Sequence, residues 1–229
     1  MNNDTDLTQL GEISDPFADG VSPPLRPLGP QGMPWSPNRS RVRALRIAGL
    51  VGALLYDAAW VAFVETRPDI HSLTPAQLVL GLAIPLVAAA ASMGAGARSG
   101  GLGLGESKWR LVALAVTAPL WFALATLLVA PHEPHVELFW RRAAGCFFTT
   151  CLLALGPLTL GVATFRRAFA SAAVWRTAAL GVASGAIASA TMSLACPIGN
   201  AWHLLVGHGA ILVAAGLCGG LLGRWVCRA

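Results

Sequence analysis

Residues 177–223 read TAALGVASGAIASATMSLACPIGNAWHLLVGHGAILVAAGLCGGLLG, two apolar runs with no charged side chain, parted by a short break around CPIGNAW. Runs of this length suit helices that cross a bilayer, which takes roughly 20 residues at about 1.5 Å each. The break carries Cys196, Pro197 and His203, and His208 follows just inside the second run. This stretch decides the fold class, and it poses a question: why do a thiol and two imidazoles stand at the mouth of a hairpin made for lipid?

The rest of the chain agrees with the hairpin. Of 229 residues, 55% are hydrophobic and 12% are charged, about half the charged share of an ordinary soluble domain. Six spans are expected, at residues 44–64, 76–97, 109–130, 143–165, 177–194 and 203–223. Lipid offers the backbone no hydrogen-bond partner, so spans this apolar must be helices, whereas barrel strands would alternate in polarity. The expected fold is an all-α integral membrane protein, a bundle of six transmembrane helices over residues 44–229, with both termini on one side.

Basic residues are retained in the cytoplasm and set the orientation. With the amino terminus inside, only Arg67, Arg141 and Arg142 fall outside, which leaves thirteen of the sixteen Lys and Arg on the cytoplasmic face. The break holding Cys196 then faces the oxidising side of the membrane. The opening MNNDTDLTQLGEISDPFADG has no base and no apolar core, unlike a secretory signal, so the head is expected to stay in the cytoplasm. The net charge of +5 flanks the spans and forms no basic stripe with interleaved aromatics, so no direct contact with nucleic acid is expected.

Residues 1–43 are rich in Pro and Gly and poor in apolar periodicity, the composition of a largely disordered tail. Within it Leu7, Leu10 and Ile13 have near-helical spacing and Phe17 follows, a sparse stripe suited to a partner's groove. SPPLRPLGPQGMPWSP then makes a stiff lead-in that brings Trp35 to the membrane interface.

Few residues carry chemistry. Asp57 is the one carboxylate well inside a span, a position that by default suggests an ion path. With no charged partner deep in the other spans, its structural reading is a hydrogen bond to Thr117, Thr126 or neighbouring backbone. Gly181 with Gly185, Gly216 with Gly220 and Gly219 with Gly223 mark close packing of the last two spans. Pro85, Pro119 and Pro157 are candidate kinks. Cys151, Cys218 and Cys227 read as small hydrophobes.

Cys146 differs, lying about one turn inside the outer end of its span at a depth close to that of Cys196. Thiols on different hairpins at one depth are placed to meet, and a disulfide between them would follow external redox conditions. His203 and His208, five apart, fall about 140° from each other on an α-helix, unlike the i, i+4 pair that binds zinc on one face. Cys146, Cys196, His203 and His208 are the candidates for redox or metal sensing, and capture of zinc or a heavy-metal ion would rest on Cys146 and Cys196 with His203; no other cofactor is implied. Phosphate loops, paired intramembrane carboxylates, His-Glu-x2-His and Gly-x-Ser-x-Gly are absent from the sequence, so no enzyme is expected.

These pieces together resemble the NrsF-type multispan anti-sigma factors of Gram-negative inner membranes. The resemblance rests on Pro24, Leu25, Arg26, Pro27 and Leu28 (PLRPL) before the first span. It continues in the fourth span, with Cys146, Gly156-Pro157 and Phe165-Arg166-Arg167, and is most specific in ACPIGNAWHLLVGHG followed by GLCGGLLGRWVCR. It implies a six-span regulator of the bacterial inner membrane whose cytoplasmic tail holds an extracytoplasmic-function sigma factor away from RNA polymerase. It also maps the family's cysteine pair onto Cys146 and Cys196. The rival classes are a small ion or solute transporter working through Asp57 and a structural subunit of a larger membrane complex.

Overall fold

The computed structural model describes residues 39–63, 67–97, 107–132, 139–165 and 172–226. Leu7, Leu10, Ile13, Phe17, the segment from Pro24 to Leu28, Trp35 and Cys227 lie outside the described residues. Every regular element among the described residues is helical. Helix α1 is Arg39–Phe63, and a 3-10 turn follows at Ile70–Ser72. Next, α2 (Pro75–Leu78) runs through a π turn, Val79–Ala83, into α3 (Ile84–Ala97). Then come α4 (Lys108–Val129), α5 (Phe139–Phe165) and α6 (Ala173–Ala195). Last, α7 (Ala201–His203) runs through a second π turn, Leu204–Gly209, into α8 (Ala210–Val226).

Five of these rods are long and apolar enough to cross a membrane: Pro75–Ala95, Lys108–Val129, Phe139–Thr164, Ala173–Ala195 and Ala201–Trp225. Within α1 the apolar part is shorter, Ile47–Phe63. Of the six expected spans, five stand among the described residues as helices of spanning length, and the first, 44–64, as a shorter apolar helix. Helices α5 and α6 begin four residues ahead of the expected starts at 143 and 177. Backbone hydrogen bonding does not stop where lipid does, so Arg141, Arg142 and Arg176 are carried on helix that extends past the apolar stretch.

Local chemistry starts the rods. The Thr74 hydroxyl accepts from the Gln77 backbone N–H at 3.3 Å, and the Gln77 side chain accepts from the Thr74 N–H at 2.8 Å, a capping box with Pro75 in the first turn. Asn200 Oδ1 accepts from the Trp202 N–H at 3.0 Å and starts α7. Exposed Trp109 and Trp225 mark one end of the bundle, and exposed Trp140 and Trp202 the other, the placing expected of side chains at membrane–water boundaries.

The bundle is built around α6, of which 78% is buried, against 11% of α4. Small residues make this possible. A Cβ at Gly181 would run into Ala215 O, one at Gly219 into Thr177 O, and one at Gly185 would lie 2.9 Å from Ile211 O. Helices α6 and α8 thus meet backbone to backbone along the glycine seam the sequence marks. Of the three prolines, Pro85 follows directly on a π turn, while Pro119 and Pro157 sit inside unbroken α-helix. On the far side of α5 lies α1. Tyr56 Oη donates to Leu152 O at 3.1 Å, its ring fills the space beside Gly156, and Gly52 faces Leu160.

Candidate metal and redox site

At the end of the bundle marked by Trp140 and Trp202, α5 and the α6–α7 connection bring Cys146, Cys196, His203 and His208 together. One donor atom from each lies within 4.8 Å of all the others. The sulfurs of Cys146 and Cys196 are 3.7 Å apart, and Cys196 Sγ is 3.3 Å from His203 Nε2. A disulfide requires about 2.05 Å between sulfurs. Two thiolates on one tetrahedral zinc, with bonds of about 2.3 Å, stand about 3.8 Å apart. The spacing is that of a tetrahedral edge, and the donor set is Cys2His2.

The second π turn assembles this set. Five residues of α-helix would leave His203 and His208 about 140° apart, yet their rings are in edge contact with centroids 5.5 Å apart. The wider π turn, closed by i→i+5 bonds, brings positions five apart onto one face. The 140° separation that α-helical winding gives the two histidines is therefore replaced by a shared face, and His208 stands with Cys146, Cys196 and His203. His208 is fully buried and neither ring nitrogen has a hydrogen-bond partner, a costly arrangement for an imidazole unless a ligand meets it. Gly207 permits the close approach: a Cβ there would stand 3.2 Å from Cys146 Cβ. Thr150 Oγ1, 3.3 Å from Gly207 O, ties α5 to the turn.

Cys196 ends α6 in extended backbone and so lies just outside the span. Its hydrogen bond with Cys146 holds the thiol below the usual range, against burial, which raises it, and with help from the adjacent His203 and His208 rings. A thiol held this way favours the thiolate, the form that binds metals and attacks oxidants.

A cavity of about 270 Å³ opens beside the cluster, lined by Arg67, Gln77, Leu80, Ser193, Cys196 and His208 among others, so both π turns border it. Arg67 was legible in the sequence only as an outer charge. It is buried, with Nε and Nη2 on the two oxygens of Asp69 at 2.7 and 2.6 Å. That fork holds the Asp69 carboxyl below its ordinary range. The stabilisation is therefore present above the ordinary carboxylate pKa and is lost as pH falls through the lowered one.

The other candidates do not join the site. Asp57 is buried in α1 with neither carboxylate oxygen hydrogen-bonded, so the expected bond to Thr117, Thr126 or backbone is absent, and Thr126 Oγ1 is itself without a partner. Cys151 is half-buried and Cys218 exposed. A larger crevice of about 560 Å³ between α3 and α4, lined by Val87, Ser92, Thr117 and Trp121 among others, holds no ionisable group.

The fold places this chain among multi-pass helical membrane proteins. Within that class, the family described as NrsF, negative regulator of sigma F, matches residues 31–228, and the chain belongs to that family. Its business is regulation, not catalysis, and its partner class is a sigma factor. The chain has no significant match among curated proteins or among solved structures.

Proposed function

We propose that this protein is a sensor of the inner membrane that holds an extracytoplasmic-function sigma factor through residues 1–43 and releases it when the Cys146–Cys196 site changes state. The thirteen-to-three split of basic residues supports a six-span arrangement over residues 44–229 with both termini in the cytoplasm. The site then faces the envelope. The observation that carries the reading is the convergence of two thiols and two buried imidazoles from separate elements.

In the resting state both sulfurs and both histidines would hold a zinc-class ion and so tie α5 to the α6–α7 connection. Signals that attack sulfur act there: a soft metal ion displaces zinc, and a peroxide-class oxidant removes it. In the second case the O–O bond of hydrogen peroxide breaks and a Cys146–Cys196 bond forms. The two thiolates give up two electrons, peroxide with two protons becomes two waters, and the ion leaves. A coupling of about 1–3 kcal/mol between site and tail suffices for a five- to hundredfold change in sigma-factor affinity.

The test is a sigma-dependent reporter in cells carrying Cys146→Ser with Cys196→Ser. The response to peroxide and to cadmium should vanish, and an unaltered response to both defeats the sensing reading. Deleting residues 1–43 should switch the reporter on permanently, while Asp57→Asn leaves it unchanged. A transporter working through Asp57 predicts the opposite pair.

A further inference from the structure

Arg67 stands four residues past Phe63, the end of α1, a tether of at most about 14 Å. Its backbone N–H donates to Leu194 O at 3.0 Å, and its guanidinium Nη2 donates to Pro197 O at 3.4 Å. Those acceptors stand two residues before and one residue after Cys196. A single residue thus grips both flanks of the thiol, while Asp69 fixes the guanidinium in a two-point fork that a lysine cannot reproduce.

The other sulfur belongs to α5, the helix against which α1 lies through Tyr56 on Leu152 O and through Gly52 on Leu160. Each half of the sulfur pair is therefore tied to α1 by its own route, Cys196 through Arg67 and Cys146 through α5. In turn, α1 is the helix that continues directly from the amino-terminal segment.

We propose that Arg67 is the positioning residue that passes a change at Cys196 on to α1, with the α5 contact as the fixed side. The inference rests on the sensing role proposed above and adds its route. Closing the sulfur gap from 3.7 Å to a disulfide's length needs a relative shift of about 1.7 Å. Leu194 and Pro197 travel with Cys196, Arg67 follows its two acceptors, and the end of α1 is drawn along relative to α5.

The experiment uses the full chain in lipid nanodiscs, reduced and then treated with hydrogen peroxide. Mass spectrometry reads two quantities: the disulfide as a loss of two hydrogens, and amide exchange along α1. In the parent, the disulfide forms and α1 exchange changes. In Arg67→Gln, which keeps the backbone N–H on Leu194 O and removes the guanidinium from Pro197 O, the disulfide still forms and the α1 response falls severalfold. Asp69→Asn, which loosens the fork and leaves the guanidinium itself in place, weakens the response less and serves if Arg67→Gln does not fold. A parent that forms the disulfide without any change in α1 overturns the inference. So does a variant whose α1 responds like the parent's. A parent that forms no disulfide instead defeats the redox reading of the site.

Discussion

The α6–α8 hairpin is built in two ways along its length. Through most of it, glycines bring the two backbones into direct contact, as at Gly181 against Ala215 and Gly219 against Thr177. At its mouth, between Cys196 and Gly209, regular packing is suspended: the backbone extends, a π turn widens the helix, a cavity opens and an imidazole is left without a partner. The contrast teaches where change can occur. Backbone packed on backbone has no small adjustment available to it. The mouth has spare volume and polar groups whose best arrangement depends on what is bound. A seam that cannot move beside a mouth that can is a reasonable base for a switch.

The largest expected effect comes from breaking the seam. Gly181→Val drives a branched side chain into the Ala215 carbonyl, where neither backbone can yield, and should cost more than the roughly 1–3 kcal/mol of ordinary overpacking. Loss of folded protein in detergent melting checks it. Leu128→Ala on exposed α4 is the counterpart and should stay within about 0.5 kcal/mol.

Next comes the mouth. His208→Ala removes one of the four clustered donors at the mouth while the seam keeps its register. Zinc retention after purification, read by mass spectrometry of the metal, should fall by more than the roughly 10- to 100-fold typical of losing an outer partner. Melting should move far less than in Gly181→Val. Gly207→Ala is a finer probe. The added methyl meets Cys146 Cβ at 3.2 Å and spreads the sulfurs by a few tenths of an ångström. It should slow disulfide formation severalfold with little change in stability, as timed by loss of free thiol.

Much of this was readable in the chain. Apolar length and missing charge give the helical class, and glycine spacing gives the seam. Cys146 and Cys196 could be paired by depth alone, because helical rise converts residue number into position across a bilayer. His208 could not be placed, since angular reasoning assumes 3.6 residues per turn and a π turn breaks that assumption. The signal was there in Gly207 and Gly209, which bracket His208 inside an otherwise regular span. Arg67 was missed for a related reason. Counting charges by side of the membrane sees its sign and not the Pro68–Asp69 turn that folds it back over the site.

Sidedness carries the whole account, and thiol labelling reads it most directly. In a version with all five cysteines replaced, a single Pro197→Cys or Ser107→Cys puts one exposed thiol beside the site or at the opposite end of the bundle. A maleimide unable to cross membranes should label position 197 in intact cells and position 107 only after lysis. The reverse pattern would place the sulfur site in the cytoplasm and contradict the account.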